Sequence, residues 1–244
     1  MTNCILFSGG VDSLIGWFRM GKPAALYCSL GHRYEGLELN ATKNLEDVTP
    51  ELKVTDIDLL SNLGQFEKED AEIPGRNFQL AFAAAINGYD HIGVVCQKDE
   101  RSIPDRSIYF FGLAEKTLSY LFNRKIILDP VFPEHDKTEM IKWFLDTELG
   151  IERGHKIEIL KATVACYQPR SNRQCGNCPA CFRRAVAFCN NGIFEVYAQD
   201  VWCSPIAKEY LRKAKNGSYS EDRNNRILNA FVEAGVLLSA DPEV

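Results

Sequence analysis

Short apolar runs alternate with stretches of helical periodicity along the first half of the chain. The apolar runs predict strands at residues 3–7, 24–30, 52–57, 90–96 and 125–128. Apolar residues at helical spacing between these runs predict helices at residues 12–20, 35–46, 77–87 and 110–122. Strands that alternate with helices in this way indicate an α/β fold, in which helices flank a parallel sheet. A ligand of such a sheet binds beyond the carboxyl ends of the strands.

The pattern changes beyond residue 130, where helical stretches predominate. A cluster of four cysteines lies in a predicted loop between residues 166 and 181. We therefore predict two domains, an α/β domain over residues 1–130 and a small helical region that contains the cysteine cluster over residues 131–244. The last predicted helix, at residues 221–234, fits either a surface helix or a dimer contact.

The composition is typical of a globular protein, with 45% hydrophobic and 25% charged residues. A net charge of -5 argues against broad, sequence-independent binding to nucleic acid. The N-terminus has no basic run followed by a long apolar stretch, so we predict neither a signal peptide nor a membrane span. We accordingly expect a cytoplasmic protein.

A phosphate-binding loop is predicted where the first strand meets the first helix. The sequence there is Ser-Gly-Gly-Val-Asp-Ser, residues 8–13. Glycines allow a sharp turn and close approach to a phosphate, and amides at a helix N-terminus donate to the anion. The motif differs from that of the P-loop NTPases and from the Gly-x-Gly-x-x-Gly fingerprint of dinucleotide-binding folds. A plain strand-to-helix turn is the alternative interpretation.

Asp12 has a distinct predicted role in this loop. A carboxylate repels phosphate, so its expected function is to hold Mg²⁺ between phosphates. Ser8 and Ser13 add hydroxyl donors. The predicted nucleotide contacts of this region are Phe7, Ser8, Gly9, Gly10, Val11, Asp12 and Ser13.

The four clustered cysteines predict a metal site. Cys166, Cys175, Cys178 and Cys181 offer four thiolates within a short segment, which suits tetrahedral Zn²⁺. An iron–sulfur cluster also takes four cysteines, and Cys-x-x-Cys pairs occur in redox proteins. We expect zinc in a structural role, since four thiolates leave no open position on the metal. The nine cysteines of the chain do not otherwise suggest a disulfide framework.

Four segments together resemble the QueC family of 7-cyano-7-deazaguanine synthases, which belongs to the PP-loop ATP pyrophosphatases. They are residues 8–13; Gly31-His32-Arg33 with Glu38; Pro74-Gly75-Arg76-Asn77; and Thr163-Val-Ala-Cys166-Tyr167 with Cys175-Gly-Asn-Cys178-Pro-Ala-Cys181-Phe-Arg183. The resemblance covers roughly residues 3–190. The phosphate loop is shared by many PP-loop enzymes, whereas the cysteine block is much more specific.

The resemblance implies a ligase with ATP as co-substrate, Mg²⁺ and a structural Zn²⁺. The family adenylates 7-carboxy-7-deazaguanine, joins ammonia to it as an amide, and activates that amide again to leave a nitrile. The implied partners are therefore a deazaguanine and ammonia or an amine, with no membrane partner. We also expect a homodimer.

The resemblance also implies roles for residues outside the phosphate loop. Arg76 and Asn77, at a predicted helix start, would reach nucleotide or substrate, although Arg76 also fits a surface helix cap. Lys137 matches a lysine that PP-loop relatives direct at ATP phosphates, and a merely solvated lysine is the alternative. Arg183 fits either a contact with an anion or a brace for the cysteine loop. His32 is expected to be packed rather than catalytic.

One segment departs from the family pattern. The family has a Gly-Tyr-Pro-Asp-Cys-Arg-like segment after its fourth strand, whereas this chain has Arg-Ser-Ile-Pro-Asp-Arg-Ser at residues 101–107. We expect this loop to shape the substrate end of the pocket. Arg106 is the better candidate for the substrate carboxylate, ahead of Arg101, and Asp105 would accept from the exocyclic amine of the base. A merely solvated loop is the alternative.

Three other functions remain open from the sequence. A QueC-like paralogue of a phage or antiviral setting would transfer the activated deazaguanine to a macromolecule. A tRNA thiolase would need a reactive cysteine or an iron–sulfur cluster. A non-enzymatic nucleotide-binding subunit would have a decayed pocket, against which Asp12 and Lys137 argue.

Overall fold

The computed structural model describes residues 1–59, 61–68, 73–168 and 174–236. By contacts, the chain forms two compact units. The first comprises Met1–Asp136 and Thr147–Val164, and the second comprises Lys137–Asp146 and Ala165–Val244. The division into two folding domains at residue 130 stays a prediction.

The first unit is built on a parallel sheet, and the described residues contain five strands in it. These are β1 (Asn3–Leu6), β2 (Ala24–Cys28), β3 (Val54–Ile57), β4 (His91–Val95) and β5 (Ile127–Val131). The strand order is β3-β2-β1-β4-β5, and every neighbouring pair is parallel. The α/β fold predicted from the sequence is thereby confirmed.

Helices connect these strands. They are α1 (Val11–Arg19), α2 (Glu35–Val48), α3 (Arg76–Ile86) and α4 (Ile108–Leu121), with α6 (Arg153–Ala162) in the same unit. Buried alanines of α3 and apolar residues of α4 pack with the sheet in one hydrophobic cluster. This burial of apolar surface is the main force that holds the helices on the sheet.

The strand order places a topological switch point beside β1. The chain adds β2 and β3 on one side of β1 and then crosses to β4 on the other side. Connections after β1 and β4 therefore diverge at the carboxyl edge, which leaves a crevice between them. The predicted phosphate loop follows β1, and residues 101–107 follow β4, so both lie at this edge.

Two glycines allow α1 to lie close to the sheet. A Cβ atom at Gly16 would lie 2.6 Å from Val95 Cγ2 and 2.8 Å from Ile5 Cδ1. A Cβ atom at Gly93 of β4 would lie 2.2 Å from Met20 Sδ. A larger residue at Gly16 would push the helix and the loop before it away from the strands, whereas at Gly93 it would meet the flexible end of the Met20 side chain.

The fifth strand differs from its prediction. It covers Ile127–Val131 rather than residues 125–128, and it includes Pro130. Proline ends most strands because it lacks an N–H donor, but an edge strand tolerates it. β5 is an edge strand, with β4 as its neighbour in the sheet.

The second unit is helical in its described part. It contains α5 (Lys137–Asp146), α7 (Pro179–Cys189), α8 (Pro205–Lys215) and α9 (Glu221–Glu233). Its core is an apolar cluster from α7, α8 and α9 that includes Phe182 and Phe231. Among the described residues, none of the helices combines the length and the apolar character that a membrane crossing requires.

Candidate nucleotide site and metal centre

The turn after β1 requires glycine at position 9. Gly9 has φ of +69°, a backbone conformation that other residues rarely adopt. A Cβ atom there would lie 2.9 Å from the Glu38 carbonyl oxygen and 3.1 Å from Ala41 Cβ. The turn therefore packs directly on the backbone of α2.

Ser13 stabilises the loop from inside. Its hydroxyl donates to the Gly10 carbonyl at 3.0 Å and accepts from the Ser8 N–H at 3.2 Å. Ser13 is buried, whereas Ser8 is exposed. The sequence predicted hydroxyl donors at both positions. The structure shows that Ser13 holds the loop in shape, and the exposed Ser8 hydroxyl is the more accessible donor.

The loop ends at the N-terminus of α1. Gly10 is the N-cap and offers no side-chain hydrogen bond, and the Leu14 N–H donates to the Gly10 carbonyl at 3.1 Å. The first amides of a helix have no partner within the helix, and they carry the positive end of its dipole. Asp12 lies in this first turn and is half-buried. The arrangement combines amides suited to an anion with a carboxylate suited to a cation.

A later segment of the first unit lies alongside this loop. Val164 forms a parallel bridge with Gly10, and its N–H donates to the Gly9 carbonyl at 3.0 Å. Val164 belongs to the Thr-Val-Ala-Cys segment of the family resemblance. The sequence pattern did not reveal this pairing, because a single bridge leaves no periodicity.

The loop after β2 contains a buried polar cluster. Glu35 Oε2 accepts from the N–H groups of Leu30 and Gly31, both at 2.7 Å. His32 Nε2 lies 3.2 Å from Glu38 Oε2, which also accepts from the Tyr27 hydroxyl at 3.1 Å. Burial raises the pKa of Tyr27, so its phenol stays a neutral donor. His32 is buried, which agrees with the packed role expected for it.

The start of α3 forms hydrogen bonds with the loop at residues 101–107. Arg76 is the first residue of α3 and is half-buried, while Asn77 is buried. The Asn77 N–H donates to Asp105 Oδ2 at 3.1 Å, and Asn77 Nδ2 donates to the Asp105 carbonyl at 2.9 Å. The structure therefore brings together two segments that the sequence singled out separately.

Both arginines of the loop at residues 101–107 form ion pairs. Arg106 pairs with Glu100, and Arg101 pairs with Glu134 and donates to the Pro133 carbonyl. Residues Pro104–Arg106 form a short 3-10 helix. A free carboxylate that approached Arg106 would compete with Glu100 for the guanidinium.

A thiol at the end of β4 holds the same loop. Cys96 Sγ donates to the Arg106 carbonyl at 2.8 Å. Burial, with the nearby Glu100 carboxylate, raises the pKa of Cys96 to about 11, so the thiol keeps its proton near neutral pH. Cys96 therefore acts as a hydrogen-bond donor in the structure.

Lys137 lies in the second unit. It is the first residue of α5 and is half-buried.

The four cysteines of the second unit converge as the sequence predicted. The Sγ atoms of Cys166, Cys175, Cys178 and Cys181 all lie within 4.8 Å of one another. Tetrahedral Zn²⁺ with Zn–S bonds of about 2.3 Å places its sulfur ligands about 3.8 Å apart. Cys175 Sγ and Cys181 Sγ are 3.8 Å apart, so the cluster has the dimensions of a four-thiolate zinc site.

Backbone N–H groups and neighbouring thiols form hydrogen bonds with the sulfur atoms of this cluster. Cys166 Sγ accepts from the Gln168 N–H at 3.3 Å, and Cys175 Sγ accepts from the Asn177 N–H at 3.3 Å. Hydrogen bonds from Cys166 and Cys181 lower the pKa of the Cys178 thiol, whereas burial raises the pKa of Cys175 and hydrogen bonds with Cys166 and Cys178 raise that of Cys181. The four sulfur atoms are thus close enough to share protons, and thiolates are the form that binds metal.

Two of the four cysteines lie at the start of a helix, whereas the sequence placed all of the cluster in a loop. Cys178 is the N-cap of α7, with Pro179 at the first helical position, and Cys181 lies in the first turn. Proline is favoured at that position because its missing N–H would have no partner there. Gly176 has φ of +76°, and a Cβ atom on it would lie 2.2 Å from the Gln199 carbonyl oxygen.

Arg184, which the sequence pattern did not single out, is linked through Glu195 to Gln174, the residue before Cys175. Its side chain is fully buried, and Nε and Nη2 donate to the two carboxylate oxygens of Glu195 at 2.8 and 2.9 Å. Its guanidinium lies 4.2 Å from the centre of the Phe188 ring. Arg183, which the sequence offered as brace or anion contact, is exposed. Helical spacing distinguishes the two arginines, because Arg184 follows Cys181 by three positions and therefore lies on the same face of α7 as that cysteine.

The fold and the loop define a class of protein. A parallel sheet with a switch point beside β1, and a Ser-Gly-Gly-x-Asp-Ser turn that opens α1, are the features of the PP-loop α/β fold. The helical region adds a four-cysteine cluster suited to zinc.

Comparison with known proteins identifies the family. The model of the family "Queuosine biosynthesis protein QueC" matches residues 65–192, more than half of the 244-residue chain. The chain belongs to the QueC family.

Similar proteins carry the name 7-cyano-7-deazaguanine synthase. One from Phocaeicola vulgatus is 27% identical over 203 residues, which cover 72% of this chain and 88% of that protein. One from Parabacteroides distasonis is 25% identical over 205 residues, with the same two coverages. One from Methanococcus maripaludis is 26% identical over 230 residues, covering 79% of this chain and 95% of that protein.

Proposed function

We propose that the protein is a Mg-ATP-dependent carbon–nitrogen ligase that adenylates 7-carboxy-7-deazaguanine. The observation that carries the proposal is the Gly9–Gly10 turn at the N-terminus of α1, beside the switch point of a QueC-family sheet. Such a turn suits a pyrophosphate group, and the crevice next to it suits a flat heterocycle.

The reaction has two activations. A carboxylate oxygen of the substrate attacks the α-phosphorus of ATP, and pyrophosphate leaves. Ammonia then attacks the acyl carbon, AMP leaves, a proton is released, and an amide forms. A second ATP activates the amide oxygen in the same way with release of pyrophosphate, and loss of AMP and of both N–H protons gives the nitrile, 7-cyano-7-deazaguanine.

The phosphate loop would bind the leaving pyrophosphate. Phe7 to Ser13 contribute the cradle, and Asp12 would hold Mg²⁺ through a carboxylate oxygen. When bound, Mg²⁺ neutralises charge on the phosphate oxygens. Lys137 would offset the negative charge that develops on the leaving group.

Residues after β4 and at the start of α3 would form the substrate end. Arg106 would bind the substrate carboxylate with paired donors, and Arg76 and Asn77 would help to place nucleotide or substrate. The loop after β4 and the start of α3 both lie at the carboxyl edge, and the Asn77–Asp105 hydrogen bonds support placing these groups in one site.

The cysteine cluster would hold a structural Zn²⁺. Four thiolates leave no coordination position for substrate, so the metal would stabilise the second unit rather than take part in the chemistry. The burial of Cys166, Cys178 and Cys181 supports this role.

The departure at residues 101–107 supports a second candidate function. Ile103 and Arg106 stand where the family has an aromatic residue and a cysteine. A changed substrate end would suit an enzyme that stops at the amide, or one that delivers the activated deazaguanine to an amine on a macromolecule.

Substrate-dependent release of pyrophosphate tests the adenylation step. The purified protein is incubated with Mg-ATP and either 7-carboxy-7-deazaguanine or a panel of other carboxylates. We expect release with the deazaguanine and only background with the others. Release with none of them would contradict the proposal, and release with a different carboxylate would reassign the substrate. Stoichiometric iron in the protein would favour a thiolase.

A further inference from the structure

The first turn of α3 receives its cap from a distant residue. Gly75 is the N-cap of α3 and has no side chain that could accept a hydrogen bond. The Asn77 N–H, at the second helical position, instead donates to Asp105 Oδ2 at 3.1 Å, although the two residues are 28 positions apart in sequence. Asp105 thus performs for α3 the function that an N-cap side chain usually performs. Its negative charge also suits the positive end of the helix dipole.

A second hydrogen bond makes the contact specific for Asn77. Asn77 Nδ2 donates to the Asp105 carbonyl oxygen at 2.9 Å, so backbone and side chain of each residue take part. Asn77 is 5% exposed. A buried amide that lost this acceptor would be left unsatisfied, which gives the pair a strong preference for one geometry.

Contacts of the neighbouring residue, Arg106, connect Asp105 to the end of β4. The next residue, Arg106, accepts a hydrogen bond from Cys96 Sγ at its carbonyl, and its guanidinium pairs with Glu100. Cys96 directly follows β4, which is a central strand. The chain of contacts therefore runs from the end of β4 through the 3-10 helix at Pro104–Arg106 to the first turn of α3.

We propose that Asp105 is a positioning residue that acts through Asn77 on Arg76. Arg76 precedes Asn77 as the first residue of α3, so its backbone position follows the cap. The proposal rests on the proposed function for the role of Arg76. The expectation that Asp105 accepts from the exocyclic amine stays a prediction, since Oδ2 accepts from Asn77 and the carboxylate has a second oxygen.

A double-mutant cycle separates positioning from direct contact. Asp105→Ala, Arg76→Ala and the double variant are compared with the wild type by kcat/KM for pyrophosphate release with 7-carboxy-7-deazaguanine. We expect Asp105→Ala alone to lower kcat/KM about 10- to 100-fold, because small misplacements of binding groups are costly. In the Arg76→Ala background the same change should cost less than about threefold, since coupled residues are not additive. Full additivity of the two effects would overturn the proposal.

Two further variants exclude a merely structural effect. Asp105→Asn keeps a side-chain oxygen acceptor and should recover most of the activity that Asp105→Ala loses. Ser204→Ala removes the side-chain cap of α8, whose Ser204 Oγ accepts from the Ala207 N–H at 3.1 Å, and serves as the matched control. It should lower the melting temperature without any coupling to Arg76→Ala. Equal coupling in the control would overturn the positioning role.

Hydrogen exchange tests the cap without any substrate. We expect Asp105→Ala to speed exchange of the Asn77 amide about tenfold or more, while the amides of β4 stay protected. Unchanged exchange at Asn77 would overturn the proposal. Absence of turnover in the wild type would instead overturn the proposed function, and the exchange result would still show whether Asp105 fixes the start of α3.

Discussion

At the scale of single residues, the two arginines of the loop at residues 101–107 both form ion pairs within the protein. Arg106 pairs with Glu100, and Arg101 pairs with Glu134. If Arg106 binds the substrate carboxylate, Glu100 holds its guanidinium ready when no substrate is present. The two arginines therefore form a natural pair of variants.

Arg106→Ala should weaken binding of 7-carboxy-7-deazaguanine about tenfold or more, because a charged hydrogen-bonded pair contributes about 1.5–3 kcal/mol. Arg101→Ala is the control and should leave the affinity within about twofold. Titration calorimetry with both variants measures the difference. Binding by Arg106→Ala as tight as wild type would remove Arg106 from the site, and Arg76 would be the next residue to substitute.

Asp12→Asn should abolish pyrophosphate release, because the amide is a much poorer ligand for Mg²⁺ than the carboxylate. Its effect on stability should be small, since a carboxylate in the first turn of a helix contributes about 0.3–1 kcal/mol. Turnover and melting temperature of the same preparation check both statements. Near-wild-type turnover in this variant would contradict the role proposed for Asp12.

Local residue patterns predicted the shape of the phosphate loop but not its tertiary partners. Ser8 to Ser13 are consecutive and lie between a strand and a helix, so their geometry follows from short-range rules. The Asp105–Asn77 cap joins residues 28 positions apart, and no periodicity connects them. Arg184 was missed for another reason, since the adjacent Arg183 carries the same charge and only the helical phase distinguishes the two.

At the scale of elements, α1 can lie close to the sheet because Gly16 has no side chain. Gly16→Ala should destabilise the protein by about 1–3 kcal/mol, because the new Cβ would overlap Val95 and Ile5 in the core. Gly112→Ala in α4 is the matched control, since nothing lies within 4 Å of its Cβ position. It should be neutral or stabilising by up to about 1 kcal/mol. Urea unfolding of both variants gives the comparison, and equal stabilities would contradict the close packing of α1.

Elements were predicted well where burial and periodicity agreed. Strands β1, β2 and β4 are apolar and lie inside the sheet, so their positions follow from their sequences. The edge strand β5 was placed too early because Pro130 suggests an end. Helix α7 begins inside the cysteine segment, where the metal-ligand spacing masked the signal of a proline at a helix start.

At the scale of the whole molecule, the metal centre should decide whether the helical unit is stable. We predict one Zn²⁺ per chain, and Cys178→Ser should remove it and lower both solubility and melting temperature, because metal binding is coupled to folding. The exposed Cys203 lies outside the cluster, so Cys203→Ser is the control and should keep full zinc content. Elemental analysis of freshly purified protein measures the metal. Stoichiometric iron, or full zinc in Cys178→Ser, would contradict the assignment.

We propose that the protein converts a deazaguanine carboxylate into a nitrogen derivative at the expense of ATP. The most direct test is the product mass after incubation with 7-carboxy-7-deazaguanine, Mg-ATP and ammonium, with Asp12→Asn as the inactive control. We predict AMP, pyrophosphate and the mass of 7-cyano-7-deazaguanine. The amide as the only product would limit the chemistry to one activation, and unchanged substrate with no AMP would contradict the proposed function.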